Sequence, residues 1–154
     1  MSEAAGRMAA NTQTVSSGWW SGKVHHFPTR VYYADTDAAG VVYHGKYLDF
    51  AERARTEMMR LIDLGEIYAG GLQEFLFVVR ACEIDFLKSA RLDDLVEVRT
   101  RFLELGGASF KLSQEIWRDS AQLTNLGVTL VSVKGGKPCR IPEALRARMS
   151  GFLG

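Results

Sequence analysis

The chain has 154 residues and a mass of 17.1 kDa, and its 19 basic and 18 acidic side chains leave a formal charge of +1. This length predicts one domain with a real hydrophobic core. The near-neutral charge argues against a general nucleic-acid binder, which needs a basic surface. The longest apolar run, residues 75–79, is far shorter than the ~20 residues that span a bilayer, so no membrane span is expected.

Residues 1–22 are predicted to be a flexible N-terminal leader, and residues 23–154 a single domain. The leader is rich in small and polar residues and has no hydrophobic periodicity. Trp19 and Trp20 stand out in it and are expected to anchor on the domain. No apolar segment resembles a secretion signal and the two cysteines form no paired-thiolate motif, so a reducing cytoplasm is the expected location.

The first element predicted in chain order is a strand from Val24 to Tyr33, and Pro28 within it suggests an edge position or a break. A loop from Asp35 to Gly40 follows. An amphipathic helix is predicted from Tyr47 to Leu64, because apolar residues recur there at steps of three and four. Gly65 is placed to end that helix.

From Phe75 onward the apolar period changes to two, which is typical of strands. A last, almost wholly apolar segment, residues 126–133, predicts a central strand buried on both faces. Two turn signals, Gly106-Gly107 and Asp119-Ser120, predict hairpins, and a short helix is predicted from Pro142 to Met149. The alternating segments that precede the last strand are residues 82–86, 96–102 and 110–116.

The element order is therefore strand, long helix, four antiparallel strands and short helix. This order predicts an α+β fold in which a five-stranded antiparallel sheet wraps around one long helix. Since the outer face of such a sheet would not be uniformly charged, we expect pairing with another copy of the chain.

Most motifs that carry catalysis are absent, including GxSxG, GxGxxG, the P-loop and HExxH. What remains is a cluster in which all three histidines lie near two acidic residues. His25 and His26 come from the first strand and are expected at the surface, whereas Asp35, Asp37 and His44 surround the following loop. Any chemistry of this chain is predicted to involve that loop.

The start of the long helix offers a second feature. No Ser, Thr, Asp or Asn lies between Tyr43 and Tyr47 to cap it, so its first amides are expected to be free for an oxyanion. A carboxylate beside such amides makes a minimal acyl-transfer site. A thiolate, whose conjugate acid has a pKa of about 8.5, leaves without a strong general acid. The residues therefore favour a thioester as substrate, if the protein is a hydrolase.

Other interpretations of this cluster stay open on the residues alone. Asp35-x-Asp37 resembles the start of a phosphoryl-transfer DxDx[TV] motif, although position 39 is Ala. Asp35, Asp37 and His44 together are chemically suited to a metal ion. In the simplest interpretation, Asp37 is a turn residue and His44 is a partly buried imidazole.

Residues 32–57 read YYADTDAAGVVYHGKYLDFAERARTE, and residues 26–28 (HFP) and 136–149 (GKPCRIPEALRARM) accompany them. These stretches resemble hotdog-fold acyl-CoA thioesterases of the 4-hydroxybenzoyl-CoA thioesterase family, in its YbgC-like, Tol-Pal-associated branch. The resemblance covers about residues 24–150, and its specific part is DTD-x-x-G-x-V-Y-H. It implies a hotdog fold that hydrolyses acyl-CoA to a free acid and CoA. The alternative is a non-catalytic module that binds acyl-CoA or acyl carrier protein.

The same resemblance implies roles for four catalytic residues. Asp37 matches the catalytic aspartate, acting as general base on water or as nucleophile. The backbone N–H of Tyr43 matches the oxyanion donor, His44 matches a histidine that orients water or the thioester, and Tyr33 matches a tyrosine grouped with them. Some relatives use a helix glutamate instead, but with Asp37 present Glu52 is assigned a structural role.

Substrate binding is assigned to Gly40 and Val42 in the loop and to Lys137 and Arg140 for the CoA phosphates. The expected partners are an acyl-CoA substrate, with acyl carrier protein as an alternative donor, and no nucleic acid. No cofactor and no metal are expected. The resemblance implies a homo-oligomer, a dimer or homotetramer, in which sheets pair edge to edge and the active site lies at the interface between two chains.

Overall fold

The computed structural model describes residues 17–63 and 75–154, and their elements follow the predicted order. Two helices and seven antiparallel strands make up the described part of the chain. The elements are β1 (Trp19–Ser21), β2 (Val24–Arg30), α1 (Lys46–Asp63), β3 (Leu76–Phe86), β4 (Leu95–Leu105), β5 (Ser109–Arg118), β6 (Ala121–Lys134), β7 (Lys137–Pro138) and α2 (Glu143–Ser150).

The strands form one sheet in the order β1-β2-β4-β5-β6-β3, with β7 paired to the end of β6. Five long strands are present as predicted, and the short strands β1 and β7 extend the sheet. Helix α1 lies along one face and buries Phe50, Ala54 and Met58, so its predicted periodicity is confirmed. An antiparallel sheet around one long helix is the α+β hotdog arrangement that the resemblance implies.

Strand β6 differs from its prediction. Its inward-facing residues Leu126, Val128 and Leu130 are buried, but the residues between them are only half-buried. The expectation of burial on both faces was wrong because α1 covers only the inner face of the sheet. The apolar run of residues 126–133 reflects a strand flanked by neighbours on both sides, not a second packed layer.

Strand β3 contains a bulge between Val79 and Ala81, where its register against β6 shifts. Before the bulge Phe77 packs on the core, and after it Ile84 does. The extra residue moves the inward-facing positions from odd to even numbers. This break explains why strict alternation in the sequence begins only at Cys82. Within the described residues β3 pairs only with β6, so it forms one edge of the sheet.

The N-terminal part of the fold starts earlier than expected. Strand β1 begins at Trp19, inside the predicted leader, and pairs with β2. The expected anchoring is confirmed, since Trp20 stacks on Phe152 at 3.9 Å and Trp19 stacks on His26 at 5.5 Å between ring centroids. Residues 1–16 lie outside the described residues, so the remainder of the leader prediction stays a prediction.

The start of α1 and both ends of α2 lie within one residue of their predicted positions. Helix α1 is described as far as Asp63, and the predicted terminator Gly65 lies outside the described residues. Pro142 directly precedes α2. Cys82 and Cys139 are both free. No helix in residues 17–63 or 75–154 is long and apolar enough to cross a bilayer.

Candidate active site

The chain after β2 does not continue as a strand to Tyr33 but forms a 3-10 turn over Tyr33–Asp35. Asp35 is 6% exposed, and its Oδ2 accepts the Tyr32 N–H at 2.8 Å. Its carbonyl oxygen accepts the Tyr43 N–H at 2.9 Å. Asp35 therefore joins the loop to the residues just before α1, and its carboxylate has a structural role.

Asp37, two residues later, is exposed and sits in a tight turn. Its Oδ1 accepts the Ala39 N–H at 2.9 Å and, more weakly, the Val41 N–H at 3.4 Å. The Gly40 N–H donates to the Asp37 carbonyl, and Gly40 has a φ of +81°, which favours glycine. No donor among the described residues reaches Oδ2. One oxygen thus orients the carboxylate in the turn while the other remains available for chemistry.

Asp37 and His44 line the same cleft, which has a volume of about 280 Å³. The loop forms one side of this cleft, the first turn of α1 forms its floor, and the end of β3 forms the other side. Val42, predicted to bind substrate, lines it as well. The lining residues are Asp37, Val41, Val42, His44, Tyr47 and residues 86–89.

His44 is exposed at the mouth of the cleft. Its ring lies 4.3 Å from that of Tyr43 and meets Phe86 edge-on at 6.3 Å between centroids. Neither ring nitrogen has a hydrogen-bond partner in the described part of the chain, and none joins it to Asp37. The imidazole is therefore available to bind water or a substrate oxygen rather than being a satisfied core histidine.

The structure corrects the choice of oxyanion donor. The Tyr43 N–H already donates to the Asp35 carbonyl and is not free. The N–H groups of His44, Gly45 and Tyr47, in contrast, have no acceptor within residues 17–63 and 75–154. Free amides are thus present at the positive end of α1, as expected from the missing cap, but they begin one residue later than predicted.

The remaining predicted site residues do not meet in this cleft within one chain. Tyr33 is 83% exposed and does not line the cleft. Lys137 lies in β7, and Arg140 follows it with its guanidinium against Gly107. A Cβ atom at position 107 would approach Arg140 Nη1 to 3.1 Å, so a larger residue there would require the guanidinium to shift slightly. A role for Tyr33, Lys137 or Arg140 stays a prediction.

Sequence reasoning missed the opposite wall of the cleft, which Phe86, Lys88 and Ser89 form, and it treated Tyr47 only as a core position. Tyr47 is 3% exposed, and its hydroxyl accepts the Ala90 N–H at 2.9 Å. Burial raises the pKa of Tyr47, so the phenol stays neutral near pH 7. The periodic apolar pattern ends at Phe86, which marks the strand end, but it does not reveal which helix end lies beside it.

A second cavity of about 200 Å³ lies between α1 and β3, farther along the helix. Glu52 lines this cavity, and its Oε1 accepts the Thr56 hydroxyl at 2.8 Å. Glu52 does not line the cleft of Asp37, and its structural role stays a prediction. Among the described residues, no group of three or more His, Cys, Asp or Glu side chains is arranged to hold a metal ion.

Comparisons with known proteins identify the family. The sequence profile of the Thioesterase superfamily matches residues 39–125, more than half of the chain. The chain is 42% identical over 123 residues to the acyl-CoA thioesterase YbgC of Haemophilus influenzae, covering 79% of this chain and 90% of that protein. It is also 42% identical over 124 residues to the acyl-CoA thioester hydrolase YbgC of Escherichia coli O6:H1, covering 79% and 92%.

A solved structure, that of a probable thioesterase from Bartonella henselae, superposes with a TM-score of 0.68 at 40% identity and covers 77% of this chain and 98% of that one. Together, the fold and these matches define a hotdog thioesterase. The chain belongs to the Thioesterase superfamily. The resemblance found in the sequence is confirmed for the family and its YbgC relatives, whereas the Tol-Pal association stays a prediction.

Proposed function

We propose that the protein hydrolyses acyl-CoA thioesters to a free acid and CoA, with Asp37 as the reacting carboxylate. The observation that carries this proposal is the shared cleft, which is lined both by Asp37, whose Oδ2 is free, and by His44 and Tyr47, whose amides are unpaired. The names of the YbgC relatives support acyl-CoA as the substrate class.

In the general-base route, Asp37 takes a proton from water while the water oxygen attacks the thioester carbonyl carbon. The carbonyl oxygen becomes an oxyanion, which the N–H groups of His44, Gly45 or Tyr47 are free to bind. Collapse of this intermediate breaks the C–S bond and releases CoA thiolate. In the nucleophilic route, Asp37 itself attacks the carbonyl carbon, thiolate leaves, and water then hydrolyses the mixed anhydride.

Two other groups of the cleft suit a thioester. His44 has free ring nitrogens with which to orient the attacking water or the carbonyl. Lys88 also lines the cleft, and its positive charge favours the oxyanion that develops there during the reaction. Neither group needs to protonate the leaving sulfur, since a thiolate is a good leaving group near neutral pH.

The proposal includes pairing of two chains through β3. This edge strand has 11 residues, no partner on its outer side among the described residues, and an exposed apolar residue, Val79, beside its bulge. An unprotected edge of this length is suited to pairing with a second copy. A dimer would bring another chain to the open side of the groove between α1 and β3. The homotetramer and the cytoplasmic location stay predictions.

The test is thiol release from a panel of acyl-CoA thioesters and from acyl carrier protein thioesters. Asp37→Asn keeps an oxygen for the Ala39 and Val41 amides but cannot act as a base, so we expect a loss of roughly 10²-fold or more. His44→Ala is expected to lose on the order of tenfold, the equivalent of about 1.4 kcal/mol of orientation.

The matched control is Asp119→Asn, an exposed carboxylate in the β5–β6 turn with a φ of +52° that asparagine tolerates. It should retain the rate of the wild type. Equal rates for Asp37→Asn and wild type would contradict the role of Asp37. Tight binding of acyl-CoA with no thiol release would instead support the non-catalytic binding module.

A further inference from the structure

The peptide between Ser89 and Ala90, in the wall of the cleft, is held at both of its polar ends. Its N–H donates to the Tyr47 hydroxyl at 2.9 Å. Its carbonyl oxygen, on Ser89, accepts Arg118 Nη1 at 3.1 Å. Ala90 is fully buried, so its N–H has no access to water if Tyr47 is lost. One group from the first turn of α1 and one from the end of β5 therefore fix the orientation of this peptide.

The same residue also holds the loop that carries Asp37. The Ala90 carbonyl accepts the Val42 N–H at 2.9 Å, and Val41 forms a β-bridge with Arg91. Val42 follows the Asp37 turn and precedes the free amides. The start of α1, the catalytic loop and the wall of the cleft thus meet at Ala90.

Tyr47 is the only side chain within residues 17–63 and 75–154 that hydrogen-bonds to Ala90. Its ring is itself fixed, since it meets Phe86 edge-on at 5.7 Å and Phe50 edge-on at 6.2 Å. The hydroxyl therefore has a defined position from which to hold the peptide. Displacement of reacting groups by about 1 Å can lower a rate 10²-fold, so a link of this kind matters to catalysis.

We propose that Tyr47 is a positioning residue of the hydrolytic site: its hydroxyl holds the Ser89–Ala90 peptide, and through it the spacing between Asp37 and the amides at the start of α1. This inference rests on the proposed function. It separates the Tyr47 hydroxyl from the groups that touch the substrate, because the hydroxyl acts on the cleft wall and the catalytic loop, whereas the Tyr47 N–H belongs to the oxyanion donors.

The test is Tyr47→Phe, which removes the hydroxyl and keeps the ring packing. We expect kcat to fall about tenfold or more, with KM for the same acyl-CoA changed less than about twofold, because the lining groups that bind substrate remain. Hydrogen exchange should show faster exchange at Ala90 and Val42. Tyr32→Phe, which removes an exposed hydroxyl outside the cleft, is the matched control and should keep the kcat of the wild type.

A second control separates positioning from stability. Val98→Ala truncates a fully buried residue of β4 that does not line the cleft, so it should lower Tm while leaving kcat unchanged at a temperature well below unfolding. Arg118→Gln is the second variant: it releases the other end of the same peptide, together with the ion pair between Arg118 and Asp94, and should lower kcat several-fold. It decides the question if Tyr47→Phe does not fold.

Each outcome is decisive. A kcat for Tyr47→Phe equal to that of the wild type overturns the inference. The inference is also overturned if Val98→Ala, at a matched loss of stability, loses as much kcat as Tyr47→Phe. If Tyr47→Phe does not fold, an unchanged kcat in Arg118→Gln overturns it. A wild-type protein that cleaves no acyl-CoA overturns the proposed function and this inference with it, whereas active wild type with active Tyr47→Phe overturns the inference alone.

Discussion

Gln114 of β5 is the buried polar link between α1 and the sheet, and its replacement tests the packing that positions the site. It is fully buried, its Oε1 accepts Arg55 Nη1 at 2.9 Å, and its Nε2 donates to the Ala51 carbonyl and to Thr100 Oγ1, both at 3.0 Å. Gln114→Met keeps a long unbranched side chain of similar volume and removes all three bonds.

The expected destabilisation follows from these bonds. A hydrogen bond to a charged guanidinium contributes about 1.5–3 kcal/mol, and a buried hydroxyl left without a partner, here that of Thr100, costs about 1–3 kcal/mol. Ala51 lies inside α1, where its carbonyl keeps an intrahelical donor. After allowance for the more favourable burial of methionine, the net loss is about 2–4 kcal/mol, or a Tm lower by roughly 5–15 °C for a chain of this size.

Thermal unfolding followed by circular dichroism measures this loss, and thiol release at low temperature reports whether the folded variant remains active. Gln122→Met is the matched control, since Gln122 is partly exposed and makes one long bond of 3.3 Å to the Thr124 carbonyl. The double variant Gln114→Met with Thr100→Val removes the orphaned hydroxyl and should recover part of the loss. A Tm for Gln114→Met within about 2 °C of the wild type would refute this reasoning.

Two further predictions concern pH and assembly. Burial lowers the pKa of His25 below 6.5, with His26 acting in the same direction and the Ser17 carbonyl and Glu57 against it, so the unfolded chain binds the proton more readily. The free energy of unfolding should therefore fall as pH decreases below 6.5. Urea unfolding at a series of pH values between about 7 and 5 measures this fall, which should be smaller in His25→Gln. An equal fall in His25→Gln and wild type would contradict the prediction. Val79→Asp places a charge at the β3 edge and should shift sedimentation towards a monomer with lower activity. Leu103→Asp on β4 is the control and should leave both sedimentation and activity unchanged. A Val79→Asp protein that sediments like wild type would argue against pairing through β3.

Short-range features of this protein were readable from the sequence. The α1 helix, the alternating strands and the hairpin turns depend on local periodicity and turn residues, which act within a few positions. The DTD-x-x-G-x-V-Y-H segment likewise placed Asp37 and His44 on one loop before a helix, and the structure puts both in one cleft. The missing N-cap correctly indicated free amides at the helix start.

The tertiary structure decided what depends on contacts between distant segments. The Asp35 carbonyl occupies the Tyr43 amide and so moves the free donors to His44 and beyond. The end of β3 supplies the far wall of the cleft 42 or more residues after His44, a distance that no local pattern encodes. His25 shows the same principle: the expectation that it lies at the surface was wrong, because the packing of β1 and Ser17 against this strand buries it. Sequence periodicity thus defines elements and candidate residues, whereas the hydrogen bonds between elements determine which groups remain free to react.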